Sequence, residues 1–280
     1  MVGKVNRVQQ HEDVPPADDP AEGVEPERPS AARVYDYYLG GSHNFAVDRA
    51  MAEQAIRILP ELPANMRANR AFLRRAVRYL IGQGIRQFLD LGSGIPTVGN
   101  VHEVALSEAP DARVVYVDSD PVAVAHSQSI LESQPQATIL QADVTDPASV
   151  LGPAERHLDF DRPVGILMVA LLHFVPDSAD PAGLVARYRD AVVPGSYLAI
   201  SHGTADQQGD RGPAMEALYA RSANPLVSRD KAAVEALFAG FELIDPGVVF
   251  VPLWRPDPGG LPTATPPERT ATYAGVGRVR

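Results

Sequence analysis

Three Asp-Pro dipeptides, Asp120-Pro121, Asp146-Pro147 and Asp180-Pro181, constrain the fold of this chain more than any other feature. Each sets a capping carboxylate before a residue suited to the first turn of a helix. Helices are therefore expected at about 121–132, 147–156 and 181–192. Apolar runs stand between them, so strands are expected at 113–118, 138–141 and 164–170, with further strands at 87–91 and 197–201 and a helix at 98–108. The run Gly165-Ile-Leu-Met-Val-Ala170 is apolar throughout, which implies burial on both faces and hence a parallel sheet covered by helices. Right-handed crossovers then give a doubly wound, mostly parallel α/β fold.

The flanks read differently. Residues 1–29 are polar and rich in Pro and acid, with no apolar period, and are expected to form a flexible tail. A helical segment over 30–82 follows, with helices at about 31–39 (capped by Ser30), 47–59 and 64–81. The third carries Phe72, Leu73, Ala76, Val77 and Leu80 on one stripe and Arg67, Arg70, Arg74, Arg75 and Arg78 on another, read as a solvated or ion-paired face. The sheet domain then spans 83–280. Helices near 213–222 and 229–238 precede strands at about 241–252 and 273–279, joined by a loop over 256–272. With no helix between them, those two strands should pair antiparallel at one edge.

Net charge is −10 over 280 residues, which argues against a protein built to neutralise nucleic-acid phosphates or an anionic membrane. There is no cysteine, which excludes disulfides, thiolate metal sites and cysteine nucleophiles. No stretch approaches the roughly 20 apolar residues of a membrane span, and no signal-type run stands at the N-terminus. A cytoplasmic location is expected. No ligand cluster has metal spacing, so no metal is expected.

Chemistry concentrates at the ends of the first three strands. Phe88-Leu-Asp-Leu-Gly-Ser-Gly94 is a strand running into a glycine turn, expected to offer bare backbone N–H groups to a ligand. Asp90 precedes the turn, where a carboxylate can brace the loop or meet an ammonium group. Asp118, followed by Ser119, ends the second strand, where it can accept from a ribose diol. Asp143, after the third, can accept from an exocyclic amine such as adenine N6, with Val144 flanking the ring. The conjunction points to an adenosine-type cofactor. The run Gly92-Ser-Gly94-Ile-Pro-Thr97 lacks the third glycine of a dinucleotide turn, and no phosphate-cradling Gly-rich loop with Lys occurs. S-adenosyl-L-methionine (SAM), whose amino-acid end needs no phosphate cradle, fits best.

The glycine turn, Val-Tyr-Val-Asp-Ser-Asp-Pro121, Gln-Ala-Asp-Val144, Ala170-Leu-Leu-His-Phe-Val-Pro-Asp177 and the Pro194-Gly195 turn resemble class I SAM-dependent methyltransferases. Arg33-Val-Tyr-Asp-Tyr-Tyr-Leu-Gly-Gly-Ser-His-Asn-Phe45, Asn69-Arg-Ala-Phe-Leu-Arg-Arg-Ala-Val-Arg78 and Gly99-Asn-Val-His-Glu-Val104 resemble, more closely, the actinobacterial S-adenosyl methyltransferase family, formerly a domain of unknown function. The resemblance implies a seven-stranded Rossmann-like methyltransferase sheet with an antiparallel edge strand and an N-terminal helical lid. It implies Gly92, Ser93 and Gly94 at the methionine part of SAM, Asp118 on the ribose, and Asp143 with Val144 at the adenine. It implies Ala170, Leu171 and His173 beside the sulfonium. Tyr35, Tyr38, His43, Asn44 and Phe45 would face cofactor or substrate from the lid. Arg70 is set against the SAM carboxylate, the alternative being a solvated arginine.

Such a protein transfers a methyl group to an acceptor held in line behind it. His173 is the candidate general base, with a polar packing role as its alternative; His102 and His202 have weaker claims. Leu171-Leu-His-Phe174 differs from the Asn/Asp-Pro-Pro-Tyr/Phe segment of base and glutamine methylation. This favours a small-molecule acceptor, with oxygen a candidate atom and carbon and nitrogen open. A SAM-binding sensor without turnover is the alternative function. Oligomeric state is not legible.

Overall fold

The computed structural model describes residues 25, 27–96, 99–257 and 266–280. Residues 1–24 and 26 of the expected tail, Thr97 and Val98, and 258–265 of the expected loop over 256–272 therefore lie outside the described residues. Of the expected tail, Arg28 is described and packs: its Nη2 donates to the Ser222 carbonyl at 3.0 Å, and the Pro29 carbonyl accepts from Ala223 N.

Five parallel strands form the centre: β1 (Gln87–Leu91), β2 (Arg113–Asp118), β3 (Ala137–Gln141), β4 (Gly165–Val169) and β5 (Tyr197–Gly203). The remaining strands are β6 (Phe241–Leu243), β7 (Val249–Phe250) and β8 (Thr272–Val279). The order is β3-β2-β1-β4-β5-β8-β6, seven strands in all, with β7 pairing beside them on β8. The expected single strand over 241–252 is thus two short ones, separated by a turn at Gly247, whose φ of +79° suits glycine. β8 runs antiparallel to both β5 and β6, so the strand of reversed direction lies one place in from the edge.

Helices α1 (Ala31–Tyr38), α2 (Ala46–Ile58) and α3 (Leu62–Gly82) precede the sheet, followed by α4 (Val101–Glu108), α5 (Pro121–Leu131), α6 (Pro147–Ala154), α7 (Pro181–Asp190), α8 (Arg211–Tyr219) and α9 (Lys231–Ala236). All three Asp-Pro starts hold. Asp120 accepts from Val122 N, Asp146 from Ala148 N and Asp180 from Gly183 N. Side chains of β1, β4 and β5 alternate between two buried clusters on opposite faces of the sheet. Leu89, Ile166 and Ile200 lie in one; Phe88, Leu167 and Ala199 lie in the other. The expected cap of α1 is not made. The Ser30 hydroxyl bonds the Asp120 carboxylate across to α5.

That contact belongs to a buried ionic bridge. Arg33 Nε donates to Asp48 Oδ2 at 2.9 Å, and Arg33 Nη1 donates to Asp120 Oδ2 at 3.0 Å. Asp48 also accepts from the backbone N–H groups of Ser30 and Phe45. One guanidinium thus joins α1, α2 and the start of α5. The arginine face of α3 likewise divides. Arg75 donates to the Trp254 and Val251 carbonyls, Arg78 pairs with Glu108 and Asp257, and Arg70 turns into the crevice described below.

Removing Arg33 leaves two buried carboxylates without their cation, a change that costs about 3–5 kcal/mol. Arg33→Met should therefore lower the thermal midpoint by many degrees, whereas Arg67→Met, on the exposed part of α3, should leave it within a degree or two. Thermal denaturation of the two variants checks this.

Candidate active site

The strand order reverses between β1 and β4, and in an open α/β sheet the crevice beyond such a switch point is where ligands bind. A cleft of about 360 Å³ opens there. Its floor is the turn Gly92-Ser93-Gly94; Asp90, Asp118, Ser119, Val144, Ala170 and Leu171 stand around it, and Tyr35, Asn69 and Arg70 reach in from the helical segment. The sequence separately nominated every one of these except Asn69.

The turn does not present bare N–H groups as expected. Gly92 N and Ser93 N both donate to the Val117 carbonyl, at 2.8 and 3.0 Å, and Gly94 N donates to Asp118 Oδ2 at 2.7 Å. The glycines are needed for shape. Gly92 and Gly94 have φ of +67° and +66°; a Cβ on Gly92 would strike Leu171 at 2.6 Å, while one on Gly94 would meet open space. The turn thus lets a ligand lie against backbone.

Asp118 also accepts from Asp120 N at 2.9 Å. Burial pushes its carboxyl up to about 6, against the N–H groups of Asp120 and Gly94 that favour the ionised form. Burial pushes Asp90 further, to about 7, opposed by Arg70 and reinforced by Asp118. Two carboxyls held this way stabilise a cation placed between them, because an opposite charge restores the ionised form. Arg70 Nη2 donates to Asn100 Oδ1 at 3.0 Å, while Arg70 Nε and Ser93 Oγ are buried without a partner among the described residues. The cleft therefore combines two acids for a cation with a guanidinium and a hydroxyl for an anion, the pattern that a zwitterionic amino-acid end with a nearby positive centre requires.

Asp143 is not part of this cleft. It is exposed, and its Oδ1 is occupied by the N–H and hydroxyl of Thr145, so it closes its own loop; Val144 alone of that pair lines the cleft. His43, Asn44 and Phe45 line neither this cleft nor the next. Asn44 Nδ2 donates to Asp36 Oδ2, Phe45 N donates to Asp48, and the His43 ring lies 3.5 Å from that of His126, centroid to centroid. These three hold the α1–α2 connection in place. Tyr38 does line a cavity, the second one.

That second cavity, of about 110 Å³, shares Tyr35, Asn69, Ala170 and Phe174 with the first. At the junction Ala170 adopts φ of +58°, a left-handed conformation unusual without glycine, fixed by its N–H donating to Ser201 Oγ at 2.9 Å. Ser201 Oγ donates to Asn69 Oδ1 at 2.6 Å, Asn69 Nδ2 donates to Tyr35 Oη at 3.0 Å, and Tyr35 Oη donates to the Met66 carbonyl. This chain ties the exit of β4 to α1 and α3. The sequence assigns Asn69 and Ser201 no site role because neither has a telling spacing; Asn69 stands only as the first residue of the Asn69–Arg78 stretch that carries the resemblance.

His173 lines the second cavity, buried, in the short 3-10 turn after β4. Its Nδ1 lies 3.2 Å from Gly203 N, which donates to it. In the neutral ring the proton is then on Nε2. Burial, with His202 and Arg229 nearby, holds His173 well below the usual imidazole range. His202 Nε2 faces Arg229 Nη1 at 2.9 Å, and His102 Nδ1 bonds Tyr116 Oη at 2.7 Å, so both act within the framework. Among the described residues no group of three or more His, Cys, Asp or Glu could hold a metal, and no helix is long and apolar enough to cross a membrane.

Comparison with known proteins agrees with this geometry. The profile of a family described as S-adenosyl methyltransferase matches residues 17–280. The fold superposes on a candidate methyltransferase from Thermobifida fusca with a TM-score of 0.87 and 40% identity, over 94% of this chain and 100% of that one. It superposes on a DUF574 family protein from Streptomyces avermitilis with a TM-score of 0.87 and 41% identity, over 91% and 98%. No curated protein matches the chain.

The raised Asp90 carboxyl has a consequence for stability. Its folded value of about 7 exceeds the ordinary 3.8, so the folded state holds its proton longer than the unfolded chain does. The ligand-free protein should lose stability on this account as pH rises from about 4 through 7. Asp90→Asn should flatten that part of the profile and raise the thermal midpoint above pH 7, measured by denaturation across pH without ligand.

Proposed function

Because the chain belongs to the S-adenosyl methyltransferase family and its cofactor is SAM, we propose that it methylates a small molecule seated in the second cavity, with SAM in the larger cleft. The observation that carries this reading is the shared wall. Tyr35, Asn69, Ala170 and Phe174 border both spaces, so a molecule in one meets a molecule in the other at the exit of β4.

The residues of the larger cleft fit the cofactor. In this reading Arg70 and Ser93 use their unpartnered Nε and Oγ on the carboxylate end, and Asp90 takes the ammonium. Gly92 and Gly94 let the methionine part lie on the backbone. Asp118 accepts from the ribose, with Ser119 beside it, and Val144 packs on the adenine. Ala170 and Leu171 flank the sulfonium. When bound, SAM supplies an electrophilic methyl group on a positively charged sulfur.

The protein's own contribution is then orientation and exclusion of water. Proximity and alignment can supply on the order of 7–11 kcal/mol of the barrier. The Ser201–Asn69–Tyr35 chain fixes the junction where the acceptor atom must sit. In this reading His173, the candidate general base, does not take that role, because its basic Nδ1 already accepts from Gly203 N. It acts instead as a neutral Nε2–H donor that orients the acceptor. The acceptor must therefore be nucleophilic itself or lose its proton to water, which fits an oxygen or nitrogen of low basicity. The apolar lining of the second cavity supports a small molecule over a polynucleotide.

Incubation with labelled SAM and fractionated small-molecule extracts should give a labelled low-mass product. Label found only in RNA, DNA or protein would overturn the acceptor class. Asp118→Ala should weaken binding of S-adenosylhomocysteine at least tenfold, about 1.4 kcal/mol; calorimetric titration reads this directly. With a donor rather than a base at position 173, the pH profile of kcat should show no step that disappears in His173→Gln, and that variant should raise KM more than it lowers kcat.

A further inference from the structure

We infer that Gln208 sets the specificity of the second cavity, which takes a compact, uncharged, single-ring molecule presenting a hydrogen-bond donor to the Gln208 amide oxygen. The inference rests on the reading of this cavity as the acceptor site and adds the chemical class of its occupant.

Gln208 lies between β5 and α8, lines the cavity and is only 5% exposed. Its Nε2 donates to the carbonyls of Asp206, at 3.1 Å, and Glu268, at 2.8 Å. Both partners are acceptors, so the amide cannot be turned round without setting oxygen against oxygen. Its Oε1 is consequently fixed in place and is buried with no partner among the described residues. A buried carbonyl oxygen without a donor is an unmet demand that a ligand N–H or O–H can satisfy. A site built around such a group discriminates strongly against an analogue that lacks the donor.

The rest of the wall excludes the alternatives. Leu59, Leu62, Met66, Met215 and Leu226 make it largely apolar, and the hydroxyls of Tyr38 and Tyr219 satisfy each other at 3.1 Å. Among the described residues no carboxylate lines the cavity, so a cationic ligand would go unbalanced there. Arg211 is the charged side chain that does, and it is committed: Nε donates to the Gln208 carbonyl and Nη1 lies 3.8 Å from Glu61 Oε2. An anion would have to compete with that carboxylate. The volume of about 110 Å³ is on the scale of the roughly 150 Å³ apolar cavity known to admit benzene, hence one ring. His173 also lines the cavity, and with Nδ1 accepting from Gly203 N its remaining polar group is an Nε2–H donor, of opposite sense to the Gln208 oxygen, so the favoured ligand carries both a donor and a lone pair, as a phenol does.

The test titrates 4-methylphenol, 4-methylanisole, 4-methylbenzoate and 4-methylbenzylammonium into the full chain saturated with S-adenosylhomocysteine, followed by calorimetry or ligand-observed NMR. The expected result is binding of 4-methylphenol at least about fivefold tighter than 4-methylanisole, with both ions weaker still. Gln208→Leu should bring phenol and anisole within about twofold of one another while leaving S-adenosylhomocysteine affinity unchanged. Equal binding of phenol and anisole to the wild type, no binding of phenol, tighter binding of either ion, or a preference that survives in Gln208→Leu would overturn the inference. If that variant does not fold, the wild-type comparison decides alone. Retained S-adenosylhomocysteine binding without phenol preference sinks the ligand class and spares the cofactor reading, whereas loss of both sinks the reading of the site.

Discussion

The structure depends on where the Arg33 guanidinium is held. Its side chain is 4% exposed, between an Asp48 side chain that is fully buried and an Asp120 side chain that is 9% exposed. Asp120 already caps α5, the helix that follows β2, so the residue that starts a sheet helix also anchors the helical segment. A buried ion pair is weak evidence for net stability, since desolvation offsets most of the attraction. What it provides here is position. The bridge sets α1 over the crevice at the ends of β1 and β2, and Tyr35, on the same helix, consequently meets Asn69 at the junction of the two cavities.

From that anchor the polar contacts run inward without a break in logic. α1 is fixed, so Tyr35 is fixed; Tyr35 holds Asn69, Asn69 holds Ser201, and Ser201 holds Ala170 in a conformation that a non-glycine residue avoids. Strain at that residue is thus supported by a chain of hydrogen bonds from β5 and the helical segment, and on the proposed reading this holds the junction of cofactor and acceptor in shape.

The sheet was legible because its signals are local. Asp-Pro starts, continuous apolar runs and a glycine turn each act within a few residues, and β1 and β2 fall where those signals put them. The break in the strand after Phe241 was marked in the sequence by Asp245-Pro246-Gly247, a turn signal that an expectation of one strand over 241–252 passes over. The site was legible as far as strand ends go: Asp90, Gly92, Gly94, Asp118 and Ala170 converge because β1, β2 and β4 are neighbours. Asp143, at the end of β3, stands exposed outside the cleft lining, with its Oδ1 bonded by Thr145. The polar contacts of the lid were illegible for another reason. Arg33 and Asp120 are 87 residues apart, and Asn69 and Ser201 are 132 apart, so nothing in the local sequence pairs them. The resemblance set His43 to Phe45 toward cofactor or substrate, whereas the His43 and Phe45 N–H groups and the Asn44 amide bond to Asp36 and Asp48 within the turn between α1 and α2.

The two cavities differ in electrostatic character. The larger one holds Asp90 and Asp118, both displaced by burial toward the neutral form and therefore most stabilised by a cation nearby. Among the described residues no carboxylate lines the smaller one, whose histidine is kept neutral by the same effect of burial. On the proposed reading the first side suits a cationic cofactor and the second an uncharged acceptor. The ammonium that this reading sets at Asp90 stays on the cofactor after the methyl group has moved, so Asp90 keeps through the reaction the cation that offsets its desolvation.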